Sequence, residues 1–252
     1  MTAPERRWPR IIGHRGAALA APENTLAGFC MAAALNVEWV EFDVRLTSDG
    51  RCILLHDDTL DRTTNGRGPV SRLTFDEVRR LDAGTWFGPD FAGQPVPGLE
   101  ETIGLLAQLN LGAVVELKPG PGAEAATGRT AAAVLAERWP AALPPPVLSS
   151  FKPTALAAAR AVAPHLARAL LVGTLPRDWR RQVEALDCAM LHADQRRLDQ
   201  PTVEIVRDAG LSLFAYTVNL PQRAQELFSW GVDSVFSDCP DRVAEGIAGK
   251  AL

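Results

Sequence analysis

Seven side chains of this 252-residue sequence carry the chemistry that stands out: Glu41, Asp43, Glu116, His14, His56, Arg15 and Lys118. Glu41 and Asp43 stand in V-E-F-D-V-R, where alternation with Val40, Phe42 and Val44 puts both carboxylates on one face of a strand. Glu116 of E-L-K adds a third carboxylate from another segment. Three acids, with no cysteine or histidine at ligand spacing, favour a hard cation with oxygen ligands, Mg²⁺ or Ca²⁺, over zinc. Imidazole titrates near neutrality, so His14 and His56 can serve as a base and acid pair across a reaction centre. Arg15 offers a fork for two phosphate oxygens and Lys118 a point charge. Each group alone has an ordinary explanation, such as a salt bridge for Arg15 or a hydrogen-bonded structural role for either histidine. Together they suggest phosphoryl chemistry without naming the ester.

Such convergence needs elements to produce it. Residues 40–45 read as a strand, the Ser48-Asp49-Gly50 turn reverses the chain, and the apolar run 52–55 returns His56 and Asp57 to the level of the acids. So short a connector joins antiparallel neighbours only. Further strands are expected at 10–14, 113–118, 147–150, 168–172, 189–192, 212–217 and 234–237. They alternate with helical patterns, the first opened near 22–25 by an Asn24 or Thr25 cap and reaching 35. Setting the antiparallel return aside leaves eight strands, each followed by a helix, which predicts an α/β TIM (β/α)8 barrel rather than an open doubly wound sheet.

Residues 58–98 lack regular alternation but hold a short helix signal at 74–81 and the aromatics Trp86, Phe87 and Phe91. They are expected to form a compact insertion within one domain spanning 1–252. His14, Asp43, Glu116, Lys118, Ser149, His192 and Asp238 all fall at C-terminal strand ends, the rim where such barrels build active sites. His192 is a weaker candidate for a substrate contact, and His165, after Pro164, is expected to be solvated. The aromatic trio is expected to pack the insertion more than to cover substrate, while Tyr216 and Asn219 are placed at the mouth.

Composition narrows the partners. A hydrophobic share of 47% is globular, and a formal charge of −4 argues against nucleic acid. No apolar run approaches the roughly 18 to 20 residues that span a bilayer. Residues 1–10 carry Glu5, Arg6, Arg7 and Arg10 in place of an apolar leader, so a cytoplasmic location is expected. Cys30, Cys52, Cys188 and Cys239 are scattered and expected to be buried free thiols.

With His14-Arg15-Gly16, Glu23-Asn24-Thr25, Glu41-Phe42-Asp43, His56-Asp57, Arg62-Thr63-Thr64, Glu116-Leu117-Lys118 and Ser237-Asp238 in this order, the chain resembles the glycerophosphodiester phosphodiesterases. It looks most like the cytoplasmic bacterial members associated with glycerol-3-phosphate uptake. The likeness runs from about residue 10 to 243, and its motifs are jointly very specific. It implies hydrolysis of deacylated phospholipids such as glycerophosphocholine or glycerophosphoethanolamine to sn-glycerol 3-phosphate and an alcohol. It implies Mg²⁺ or Ca²⁺ on Glu41, Asp43 and Glu116, acid/base work by His14 and His56, and phosphate binding by Arg15 and Lys118. Tyr216 stands where tryptophan is frequent in the family, and Asp194-Gln195 replaces a more basic pair, so the alcohol preferred stays open. Three other readings compete with this one: a phospholipase-D-like barrel acting on lysophospholipid or sphingomyelin, a Schiff-base lyase using Lys118, and a phosphodiester-binding barrel without catalysis.

Overall fold

The structure is a computed structural model that describes residues 8–249, so the expectation made for the N-terminal leader falls largely outside the described residues. Strand alternation organises it. Eight parallel strands, β1 (Ile11–Gly13), β2 (Trp39–Leu46), β4 (Gly112–Leu117), β5 (Val147–Ser150), β6 (Ala167–Val172), β7 (Met190–Asp194), β8 (Ser212–Tyr216) and β9 (Ser234–Ser237), close into a ring. Closure comes from β1, which pairs with β2 on one side and β9 on the other. β3 (Cys52–Leu54) is the antiparallel return on β2, Val44 opposite Leu54, and an isolated bridge joins its Ile53 to Gly98. This is the expected TIM barrel.

Period two sorts the side chains. Ile12, Trp39, Val114, Val147, Ala169, Met190, Phe214 and Phe236 fill the barrel interior as one apolar cluster. Two residues further along β2, β4, β5 and β7, on the same inward face, stand Glu41, Glu116, Ser149 and His192. The outward residues Val40, Phe42, Val44, Val115 and Leu117 pack against the surrounding helices. An apolar floor below and polar groups above is the layering this architecture uses.

The helices are α1 (Leu26–Ala34), α2 (Phe75–Val78), α3 (Leu99–Leu109), α4 (Glu124–Arg138), α5 (Pro153–Val162), α6 (Trp179–Leu186), α7 (Gln200–Asp208), α8 (Pro221–Trp230) and α9 (Pro240–Ala248). Thr25 caps α1 by accepting from the Gly28 N–H, whereas Asn24 is used elsewhere. The signal at 74–81 shrinks to one turn, α2, held by a Thr74–Glu77 capping box. α4 and α5 meet at backbone distance, because a Cβ on Gly128 would collide with the Ala155 carbonyl.

Residues 58–98 carry their own apolar cluster, in which Leu60, Val70, Val78, Ala83 and Val96 pack on Ile53 and Leu55 of the return segment. Asp82 braces it, accepting from the N–H groups of Gly84, Thr85 and Gly93. Cys52, Cys188 and Cys239 are buried free thiols; Cys30 departs from expectation because it sits on the solvent face of α1. Among the described residues no helix is long and apolar enough to cross a membrane.

Candidate active site

The acids come from the inward faces of β2 and β4, which run side by side with Asp43 opposite Glu116. One carboxylate oxygen from each of Glu41, Asp43 and Glu116 lies within 4.8 Å of the other two, and all three residues are buried. Glu41 Oε1 has no hydrogen-bond partner. Burial, with Asp43 and Glu116 beside it, pushes the Glu41 carboxyl well above the usual range. Burial, reinforced by Asp43, raises Glu116 to about 7 against the pull of Lys118. Burial opposes ionisation of Asp43 as well, but Arg15, Lys118 and His56, with a hydrogen bond from Asn24, outweigh it and hold that carboxyl at about 2.

Two cations face these three acids. Lys118, one residue past β4, sets its Nζ 2.8 Å from Glu116 Oε1 and 3.5 Å from Asp43 Oδ1. Burial disfavours its charge, yet Asp43 and Glu116 hold it above its ordinary value. Arg15 donates from Nη1 to Glu23 Oε1 at 2.8 Å and places Nε 3.3 Å from Asp43 Oδ2. Three crowded carboxyls whose mutual repulsion opposes full ionisation, one with an unpartnered buried oxygen, form the environment in which a divalent cation with oxygen ligands fits.

The loop after β1 aims Arg15 by unusual backbone. Arg15 and Gly16 both have positive φ, 52° and 94°, and the chain then passes so near Gly28 of α1 that a Cβ on Gly16 would meet its carbonyl at 2.8 Å. This turn points the Arg15 N–H at Glu41 Oε2, 3.0 Å away. Asn24, also at positive φ, grips Asp43 twice, its amide donating to Oδ2 at 2.8 Å and its carbonyl accepting from the Asp43 N–H at 3.0 Å.

Both histidines are held by carboxylates. His14 lies just beyond β1, its Nδ1 2.6 Å from Asp238 Oδ1 and its Nε2 3.9 Å from Glu41 Oε2. Asn219 in turn donates to Asp238 Oδ2. His56 follows β3, with Nδ1 2.6 Å from Asp57 Oδ1. Burial and the charges of Arg15 and Lys118 lower its basicity, while Asp43 and Asp57 pull the other way and lose. Its main-chain carbonyl accepts from Arg45 Nε and Nη2, which fixes the height of the return segment.

These groups open into one cavity of about 450 Å³, lined on the charged side by His14, Arg15, Glu41, His56, Glu116 and Lys118. Ser149, Phe151, Leu171, His192, Tyr216 and Phe236 form much of the opposite wall. All seven residues chosen from the sequence thus reach one place. His165 is exposed, as expected. Trp86, Phe87 and Phe91 stack edge to face on one another and none lines this cavity. Tyr216 is at the cavity, its hydroxyl donating to the Val172 carbonyl, but Asn219 is not: it braces Asp238 instead. Sequence reasoning missed the bracing roles of Asn24, Arg45 and Arg62. Only the E-N-T and R-T-T motifs had drawn attention to two of them.

The chain matches the model of the Glycerophosphoryl diester phosphodiesterase family over residues 14–242. It is 33% identical to a glycerophosphodiester phosphodiesterase of Caldanaerobacter subterraneus over 92% of this chain and 94% of that protein. In structure it superimposes on a phosphodiesterase of Oleispira antarctica, solved in complex with the product sn-glycerol-3-phosphate. The TM-score is 0.92 at 39% identity, covering 95% of this chain and 97% of that one. A glycerophosphodiester phosphodiesterase of Agrobacterium tumefaciens gives a TM-score of 0.73 at 30% identity, with 94% and 99% covered.

Proposed function

This chain belongs to the glycerophosphoryl diester phosphodiesterase family, and we propose that it hydrolyses deacylated phospholipids such as glycerophosphocholine and glycerophosphoethanolamine to sn-glycerol 3-phosphate and an alcohol. The observation that carries the reading is the buried Glu41, Asp43 and Glu116 triad, of which Glu41 and Glu116 line the same cavity as His14 and His56. The likeness to the Oleispira antarctica enzyme, solved with sn-glycerol-3-phosphate, supports the choice of product. In this reading the chain is one domain of 1–252 that includes the 58–98 insertion. Its cysteines, none paired, accord with a reducing compartment such as the cytoplasm.

Glu41, Asp43 and Glu116 would hold Mg²⁺ or Ca²⁺, which supplies positive charge to a phosphoryl oxygen when bound. Arg15 and Lys118 bind the remaining phosphate oxygens and stabilise charge as it builds there. One histidine accepts the proton of the attacking hydroxyl, from water or from the glycerol 2-position. The other delivers a proton to the departing alkoxide, so the alcohol leaves neutral at that oxygen. Nδ1 of each ring faces a carboxylate, which leaves Nε2 to carry the transferred proton. If the glycerol hydroxyl attacks first, water opens the cyclic phosphate in a second round with the histidines in exchanged roles: the ring that gave up its proton takes one from water, and the other returns its proton to the glycerol 2-oxygen.

The test is release of sn-glycerol 3-phosphate from a panel of glycerophosphodiesters by metal-stripped protein, with Mg²⁺ or Ca²⁺ restored and with EDTA added. Release that requires the cation, and that falls at least about 100-fold in His14→Ala and in His56→Ala, is expected. Full activity in EDTA, or near-normal rates in either variant, contradicts the proposal.

A further inference from the structure

Across the cavity from the charged groups lies one buried polar atom that nothing in the protein uses. His192 is 1% exposed and lines the cavity, and its Nε2 has no hydrogen-bond partner. The ring is not free to search for one. It stacks on Phe214 at 4.9 Å with planes 8° apart and meets Phe236 edge-on at 5.0 Å, while β7 fixes its backbone. Buried polar atoms in folded proteins are paired, and an exception at a cavity wall calls for a ligand.

The chemistry of the surroundings says which ligand. Leu171 and Phe236 flank this wall, so a charged group placed there would be stripped of water without compensation. A neutral imidazole nitrogen either accepts or donates according to tautomer, and an alcohol hydroxyl satisfies both cases. Depth then separates the two halves of a diester. At the rim Phe151 is 42% exposed and the Arg196 guanidinium, pinned on Asp194, stands in solvent, so an alcohol of variable size is tolerated there. His192 belongs to the closed end, which suits the half that never varies.

We propose that His192 is a substrate-binding residue whose Nε2 pairs with a hydroxyl of the glycerol half of the diester, fixing that half at the closed end of the cavity. The inference rests on the glycerophosphodiester reading given above. It assigns a specificity role to a residue outside the acid, base, cation and phosphate positions.

The experiment compares His192→Phe, which keeps an aromatic ring in the stack and removes the nitrogen, with His192→Gln, whose amide reaches to the same depth. Metal-loaded proteins are assayed on glycerophosphocholine and on bis(p-nitrophenyl) phosphate, a diester with no glycerol. For His192→Phe, kcat/KM on glycerophosphocholine is expected to fall at least about tenfold, mostly through KM, the loss of one ligand hydrogen bond. The rate on bis(p-nitrophenyl) phosphate should stay within about twofold, and His192→Gln should recover part of the loss. Equal losses on both substrates, or no loss on glycerophosphocholine, overturn the inference while leaving the proposed function standing. A wild-type protein that cleaves bis(p-nitrophenyl) phosphate but not glycerophosphocholine overturns the proposed function, and the inference falls with it.

Discussion

His14 and Asp238, 224 positions apart, touch: Nδ1 of the ring is 2.6 Å from Oδ1 of the carboxylate. The contact exists because β1 and β9 are neighbours in the closed ring, with Gly13 opposite Ser237, so the residues that follow each strand emerge side by side. Burial raises the Asp238 carboxyl, but the His14 ring and the Asn219 amide overcome that and keep it below its ordinary value, hence ionised.

An ionised partner fixes the tautomer of His14 and, in the mechanism proposed above, would steady an imidazolium formed there. Asp238→Asn is therefore expected to lower kcat by about 100-fold with little change in KM. Steady-state kinetics beside a circular dichroism spectrum of the folded variant check this, and an unchanged kcat would remove the pairing from the mechanism.

On the other side of the cavity Arg62 acts as a clamp. Its guanidinium donates to both oxygens of Asp57 and both of Glu23, and Glu23 also holds Arg15. One exposed side chain thus steadies the partner of His56 and the partner of Arg15. Arg62→Ala is expected to cost about tenfold in turnover, as loss of a residue that orients others does. It should barely move the thermal midpoint, since exposed ion pairs contribute little to stability. Arg62→Lys should recover only part, lacking the planar fork.

Stability should depend on pH through His192. Burial alone lowers its pKa from the usual 6.5 to about 3, and the groups stacked on it, Phe214 and Phe236, carry no charge. Above pH 6.5 the ring is neutral folded or unfolded and contributes nothing to the pH dependence. As pH falls toward 3 the unfolded chain takes up a proton that the folded one refuses, so the native state loses about 1.4 kcal/mol per pH unit. Urea melts at pH 7.5 and pH 4.5 should show wild type losing about 3 kcal/mol more than His192→Phe over this interval. Equal losses in the two proteins would refute it.

Gly128 of α4 tests the helix layer. On propensity alone Gly128→Ala gains about 1 kcal/mol. The added methyl, however, meets the main-chain carbonyl of Ala155, which has no rotamer by which to yield. A net loss of about 1 to 3 kcal/mol in a urea melt is expected, and a stabilised variant would show that α4 and α5 can separate without cost.

Much of this molecule is legible in its residues. Strand alternation in V-E-F-D-V-R and the tight Asp49-Gly50 turn are local signals, and both the antiparallel return and the grouping of Glu41, Asp43 and His56 follow from them. Eight strand and helix alternations suffice for the barrel because periodicity survives without knowledge of neighbours. What escaped were contacts that only ring closure creates: Asp238 on His14, and Asn219 behind it. Asn24 illustrates another gap. Its position before α1 looks like a cap, yet Thr25 takes that role and leaves Asn24 in a left-handed conformation aimed at Asp43. Arg45 shares a face with Glu41 and Asp43, yet nothing local in the sequence marks it as buried and gripping the His56 carbonyl.

The apolar plug beneath the site, with Trp39, Met190, Phe214 and Phe236 among its members, closes the rear of the barrel among the described residues. Whatever enters does so by the mouth and must back out the same way. If the invariant fragment lies innermost, the leaving alcohol departs first and glycerol phosphate last. A late-departing fragment would compete with incoming diester for the vacated seat, so under the proposed function accumulating glycerol phosphate would throttle the reaction by competitive occupancy.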